Sequence, residues 1–300
     1  MIVCKVLVYL SVFLMVTHQN VDAGIWDRIV NVFVGEEESD PPVVRALIVQ
    51  DATSAIVEVR GGYNVYDPYK NGKVTSSFSS KKNFIESKSF GLKWGEEFPG
   101  VFQLKIVPDD QQTSTLVNGI EYKGNMYIYE VGDSLSIINE VEIEDYVTSV
   151  LSPLFDQPLS KEAMNALAIA ARTDAYHHVA SNQNPYWDVD ALKTGYQGHA
   201  VTKRGNGVDK AVSDTRYMVM NLSTAYQGDK ITTFPAVITS KALPNQKSKT
   251  TAISIDEVDK LARRGAPADR ILSKLFPNTT ISLIHSFGTP CKQEIAELYN

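Results

Sequence analysis

Between residues 139 and 178 the chain gathers groups able to move protons or hold charge: Glu144, Asp145, Asp156, Glu162, Arg172 and the pair His177-His178. A carboxyl group whose surroundings raise its pKa can protonate a leaving oxygen and then take a proton back. Asp156 precedes a Gln-Pro pair, where an aspartate commonly closes a turn, and it is the stronger candidate acid. Glu162 follows Ser160 at a helix start, where the dipole favours a carboxylate without any catalytic duty. Glu144 and Asp145 suit a helix N-terminus and a fold-internal hydrogen bond. Arg172 lies among alanines, so it either meets a carboxylate partner inside the fold or contacts substrate, with Thr173 packed beside it. His177 and His178 are adjacent and point about 100° apart on a helix, which does not make a metal-binding face. No metal site and no cofactor are expected. His199 belongs to a loop. Tyr186, Trp187, Tyr196 and Tyr217 are either core aromatics or flat surfaces on which the apolar face of a sugar can stack.

The 300 residues are 43% apolar and 21% charged, with a formal net charge of -6. This is a globular composition with room for one large domain or two ordinary ones. No basic excess exists to release counterions from a phosphate backbone, so no nucleic-acid partner is expected. Residues 1–23 have the three parts of a secretory signal: Lys5, an apolar run Val6–Val16 broken by Ser11, and small residues at Val21-Asp22-Ala23. The protein is therefore expected in the periplasm or another extracytoplasmic space, and on a membrane only if the signal stays uncleaved. Cleavage would remove Cys4 and leave Cys291 as the single thiol.

The elements that must position these groups come next. Residues 24–42 read as a linker, 43–142 as a β-rich part, 143–283 as a mixed helical part and 284–300 as a tail, an α+β arrangement. Period-two patterning predicts strands at Val43–Val49, Ser54–Val59, Val101–Val107, Met126–Val131 and Ser134–Val141. Gly61-Gly62, Asn71-Gly72, Asn118-Gly119 and Gly132-Asp133 mark turns. Ile143, Tyr146, Val147, Val150, Leu151 and Leu154 recur at helical spacing, and Pro153 ends or kinks that helix. A second helix, Lys161–Ala180, is capped by Ser160 and carries a stripe of alanines. Ser254-Ile255-Asp256-Glu257 reads as a capping box opening a helix that stops at Gly265, and another helix through Ile271-Leu272-Leu275 ends before Pro277.

Asn139-Glu140-Val141-Glu142-Ile143-Glu144-Asp145-Tyr146, followed by Ala168-Ile169-Ala170-Ala171-Arg172-Thr173, resembles the sporulation stage II protein D (SpoIID) family, which includes the amidase-enhancer proteins of bacterial walls. Tyr122-Lys123-Gly124, Ala211-Val212 with Thr215-Arg216, and Leu261-Ala262-Arg263-Arg264-Gly265 with Ile271-Leu272 and Pro277-Asn278-Thr279 match further family segments in the same order. The resemblance spans about 43–283. It implies the family's α+β fold and action on peptidoglycan, where characterised members are lytic transglycosylases of glycan strands stripped of stem peptides. The family's acid is a Glu eight residues after the Tyr, and that position here is Leu154.

Leucine cannot transfer a proton, so the resemblance implies a mechanism missing its indispensable group. The family's His-Cys-Gln-x-Tyr-x-Gly segment corresponds to Leu192–Gly198 and keeps only Tyr196 and Gly198. Its Gly-His-Gly-Val-Gly-Met-Ser-Gln loop corresponds to Ser248–Ile255 and keeps only Ser254. The expectation is a secreted wall protein that binds peptidoglycan glycan strands at division or engulfment without cutting them, through Tyr196, Tyr186, Trp187 and Arg172. The alternatives are a transglycosylase using Asp156 in place of the lost acid, and a non-enzymatic recruiter or enhancer of a wall amidase.

Overall fold

Alternation of apolar and polar residues carries the first half of the chain into strands, because successive side chains on a strand point to opposite faces. The computed structural model describes residues 42–77, 81–181, 183–222, 231–240 and 252–284. The expected signal, nearly all of the linker, Cys4, Cys291 and the tail beyond Ile284 lie outside the described residues. The strands in chain order are β1 (Val43–Ala52), β2 (Ser54–Arg60), β3 (Tyr63–Asp67), β4 (Gly72–Ser77), β5 (Lys81–Lys88) and β6 (Gly91–Trp94). They continue with β7 (Glu96–Pro99), β8 (Gln103–Pro108), β9 (Ser114–Val117), β10 (Ile120–Tyr122), β11 (Asn125–Val131) and β12 (Ser134–Glu142).

All five strands expected from patterning are present. Those between residues 63 and 99 and between 114 and 122 were not foreseen. Lys81–Lys88, for example, does not alternate because Ile85 is its one buried side chain, and pairing rather than composition makes it a strand. The turns behave as read. Gly132 and Asp133 both have positive φ, at 58° and 64°, and join β11 to β12 in the two-residue hairpin whose handedness matches strand twist.

Two sheets result. One has the order β13-β1-β12-β11-β8-β3-β4, where β13 is Val189–Asp190, and the other has the order β10-β9-β2-β5-β6-β7. They meet face to face: Tyr63 of the first packs on Trp94 of the second at 5.8 Å between ring centroids, and the Trp94 indole donates to the Val57 carbonyl. Val57, Val59, Ile85, Leu104, Ile106, Met126, Ile128 and Ile137 fill the space between them. Because β13 comes from the helical part yet pairs with β1, the strand-rich and helical parts share one sheet. Arg45 of β1 clamps Asp188 just before β13, its Nη2 2.7 Å from Oδ1.

β12 ends at Glu142 and a helix begins at Ile143, running to Leu151 with a 3₁₀ turn over Ser152–Leu154. The 3₁₀ turn contains Pro153, which cannot donate to a continuing helix. The helix Lys161–Ser181 is the centre of the second half. Ala163, Ala166, Ala168, Ala170, Ala171 and Ala175 are buried, and these small residues let other elements approach closely on several sides. Ser160 caps it loosely, with its Oγ 3.4 Å from the Ala163 amide. Around it lie the helix Val208–Asp214, strand β14 (Met218–Leu222) paired with β17 (Thr279–Leu283), the short parallel pair β15 (Val237–Thr239) and β16 (Ala252–Ser254), and the helices Ile255–Ala262 and Ala268–Leu275. The fold is α+β. Among the described residues no helix is long and apolar enough to cross a membrane.

Two local expectations are corrected. Ser254 stands at the N-cap of the Ile255–Ala262 helix, but its side chain makes no capping hydrogen bond; the hydroxyl is buried at the end of β16 with no partner. Leu154 does not continue the apolar stripe of its helix. The change to 3₁₀ winding after Leu151 rotates it outward to 50% exposure, and Phe155 takes the inward place.

Candidate functional site

The Ile143–Leu151 helix begins with two acidic residues in its first turn, a placement favoured by the unsatisfied amides there. Neither caps the helix; each reaches away from it. Glu144 receives the Arg172 guanidinium in a two-oxygen clasp, Nε to Oε1 at 2.9 Å and Nη2 to Oε2 at 2.7 Å. Arg172 is 0% exposed, and its remaining donors go to the Thr215 hydroxyl and to the Met218 and Val212 carbonyls. All five guanidinium N–H groups are therefore occupied inside the fold. The expectation that Arg172 contacts substrate is corrected: a residue without exposure and without a spare donor cannot touch a ligand. Glu144 Oε1 also accepts the Tyr217 amide at 3.0 Å, holding Tyr217 at a φ of 63°, a left-handed conformation uncommon for a bulky residue. Thr173 ties the same helix to β14, accepting from the Met220 amide and donating to the Ile169 carbonyl.

Tyr196 is also corrected. Its ring is 4% exposed, packed at 5.0 Å on Tyr146 and 6.0 Å from Tyr122, and its hydroxyl donates to Asn139 Oδ1 at 2.6 Å. Burial pushes that hydroxyl well above the usual tyrosine range. Gly198 has a φ of 74°, and a side chain there would run into the Glu121 carbonyl and the Tyr122 ring. The two residues retained in the Leu192–Gly198 segment thus hold the fold and offer no sugar surface. Tyr186 is 53% exposed, its ring edge-on to Tyr129 at 5.3 Å, and Trp187 beside it is half-buried. These two aromatics remain open to a ligand.

The 3₁₀ turn bearing Leu154 is fixed from below. Ser152 Oγ accepts the Lys203 amide at 2.6 Å, and the Asn206 side-chain amide donates to Ser152 and to the Phe155 carbonyl. The Asp156 side chain is 91% exposed and paired with Lys203 Nζ at 2.7 Å. That ammonium holds its carboxyl below the usual range, the opposite of what a general acid needs. Glu162 accepts the Ala268 amide at 2.8 Å and ties two helices together. His177 and His178 are edge-on at 5.9 Å, with His178 facing Asp174. Among the described residues no three His, Cys, Asp or Glu side chains gather as metal ligands would.

An open cavity of about 420 Å³ lies among Lys123, the first helix at Asp145 and Thr148, the 199–204 segment, and the Asp209–Arg216 stretch. Lys123 Nζ is 3.1 Å from Asp145 Oδ1. His199 is held below its ordinary value, first by burial and then by the Lys123 charge. Arg204 and Arg216 face the same space. Of these groups the sequence singled out His199 and Asp145, while Lys123 and Arg216 entered only as motif letters. Arg204 carried no signal, because a basic residue in a Gly-Asn-Gly turn looks like any solvated loop residue.

The Stage II sporulation protein family (SpoIID) matches residues 131–222, the stretch from the β11–β12 turn through β14 that holds the Glu144–Arg172 clasp and its Thr215 and Met218 acceptors. Over a longer span, 270 residues are 31% identical to an uncharacterized protein of Chlamydia pneumoniae, covering 89% of this chain and 91% of that one. The chain belongs to the SpoIID family. A second uncharacterized relative, from Chlamydia muridarum, is 32% identical over 82% of this chain and 79% of its own. One from Brachyspira hyodysenteriae is 31% identical over 64% of this chain and 50% of its own. No solved structure matches significantly. Membership in SpoIID points to a role connected with the cell wall. Leu154, at the position where the sequence resemblance expects the family's acid, is an exposed leucine.

Proposed function

We propose that this SpoIID protein is secreted, works outside the cytoplasmic membrane, and binds peptidoglycan glycan strands in wall remodelling at division or engulfment without cutting them. One juxtaposition carries the reading: an intact Glu144–Arg172 clasp supports the first helix, and the turn at its end offers the exposed, proton-free Leu154 where the family resemblance calls for a glutamic acid. The neighbouring carboxyl, Asp156, is exposed and paired with Lys203, which favours its ionised form over the protonated form a general acid needs. An open cavity with hydroxyls, cations and a histidine along the same first helix suits a polar polysaccharide. The test incubates purified protein with isolated glycan strands stripped of stem peptides and assays co-sedimentation together with soluble anhydro-muropeptides. Binding without release supports the reading. Release of anhydro products would mean that another carboxyl performs the cleavage. A folded protein that neither binds nor cuts, but changes the activity of a wall amidase, would replace it with a recruiting role.

A further inference from the structure

The end of the strand-rich part opposite the first helix is apolar where it meets water. Several turns lie there together. β8 begins at Gln103 opposite Tyr129, and the Glu130 amide donates to the Phe102 carbonyl at 2.9 Å, so the start of β8 stands beside the β11–β12 turn. β3 places Tyr66 opposite Lys105 of β8, which brings the β3–β4 turn to the same end. The Gly100 amide donates to the Phe90 carbonyl at 2.6 Å and the Leu92 amide to the Val101 carbonyl at 2.8 Å, tying the β5–β6 turn to the segment before β8. Each of these segments presents a large apolar side chain to solvent: Tyr69 is 81% exposed, Phe90 81%, Phe102 46% and Val131 65%. Single exposed apolar residues are ordinary, but four on neighbouring turns mark a contact surface. β12 carries the chain from this end to the first helix in nine residues, so the two stand about 30 Å apart.

Three observations fit this end to a lipid surface. The apolar side chains stand on separate turns, and a bilayer interface receives such prongs without a matching pocket for each, the zone where aromatic rings are favoured. The lysines at the edges of the turns are engaged, Lys70 with Asp67 at 3.9 Å and Lys88 with Glu86 at 3.0 Å. Asp133 follows Val131 in the β11–β12 turn and Asp51 lies at the end of β1 paired with the start of β12; both are exposed, and among the described residues neither forms an ion pair. The attraction is therefore apolar, without a pull on anionic headgroups. The chain also carries the apolar run Val6–Val16, joined to β1 by residues 17–42. Fully extended these reach about 90 Å, against about 33 Å for the ten residues of β1, so the run and the turns can meet one bilayer face together. We propose that Tyr69, Phe90, Phe102 and Val131 dock the protein on a phospholipid bilayer by shallow insertion of these turns, which holds the first helix and its cavity about 30 Å from the lipid. The docking does not depend on the glycan reading, and it does not require the apolar run to be retained.

The test reads insertion at single positions of the purified protein, using vesicles of phosphatidylcholine with brominated acyl chains, which quench tryptophan at short range. Phe90→Trp reports on the turns, and Phe84→Trp, mid-strand in β5 at 62% exposure, is the control. The signal of the wild type, which holds Trp26, Trp94 and Trp187, is subtracted. The expected result is quenching with a blue shift at position 90 and neither at position 84. Adding Tyr69→Ser, Phe102→Ser and Val131→Ser to the Phe90→Trp chain should remove most of that quenching, with the thermal midpoint little changed because these positions are exposed. Vesicle binding without quenching at position 90, or equal quenching at 84 and 90, overturns the turns as the part that inserts. Quenching that requires added phosphatidylglycerol overturns the apolar basis. No vesicle binding overturns the proposal outright, and self-association lost with the same substitutions would then assign the surface to a second copy of the chain. Co-sedimentation with glycan strands should be the same in all these chains, so the peptidoglycan reading stands or falls separately.

Discussion

The clasp at the start of the first helix and the 3₁₀ turn at its end lie within one short stretch of chain and are built on opposite terms. In the clasp every donor of Arg172 is used, no part of the side chain meets water, and the Tyr217 backbone is held out of its ordinary conformation by the same carboxylate. At the turn Leu154 and Asp156 face solvent. A buried ion pair is expensive to disturb because removing one partner strands the other without water, whereas an exposed turn residue can change at almost no cost to folding. The difference teaches that the fold constrains the clasp tightly and the residue types at the turn hardly at all.

The comparison breaks first at its strongest point. Arg172→Met should destabilise the protein by about 3–5 kcal/mol, since it leaves Glu144 and several carbonyls without their partner; urea unfolding measures this, and a loss below ~1 kcal/mol would mean the clasp does not hold the fold. Tyr196→Phe removes the hydroxyl that satisfies Asn139 and should cost about 1–2 kcal/mol in the same assay. Were Tyr196 a sugar platform, the substitution would change strand binding and leave stability alone.

The cavity lining and the exposed turn yield smaller effects. The folded-state pKa of His199 lies below its ordinary 6.5, so in that window the unfolded chain binds more protons than the folded one. Its contribution should therefore make stability rise as pH climbs toward 6.5 and level off above it. NMR titration should give a midpoint below 6.5, moved upward by Lys123→Gln. Smallest of all is Leu154→Glu. The position is half-exposed, so folding should change by no more than about 0.5 kcal/mol, and restored anhydro-muropeptide release is not expected. Release on that single change would show that the rest of the cavity is still built for cleavage.

Helices with a strong repeat were legible from sequence, as were turns at Asn-Gly and Gly-Asp pairs, because both signals are local. The missed strands of the second sheet are mostly short and lack clean alternation, Ser114–Val117 being buried throughout and Lys81–Lys88 burying only Ile85, and pairing gives them their structure. Within the site, Glu144 and Arg172 stood out as a pair of motifs twenty-eight residues apart, yet whether Arg172 met a partner or a ligand was undecidable without burial. Arg204 was invisible, since only its place in the lining of a cavity gives it meaning. Leu154 shows the limit of periodicity: apolar spacing placed it on the buried stripe, and a change of winding at Ser152–Leu154 turned it to solvent.

By itself the sequence determined the family and the order of strands before helices, because each is a matter of residue type at a position along the chain. Only the tertiary structure decided that Arg172 and Tyr196 belong to the fold, that exposed Asp156 pairs with Lys203, and that two arginines without ion-pair partners among the described residues share a cavity. Those are facts of burial and distance between segments dozens of residues apart, and the electrostatics of a group depend on what surrounds it in space.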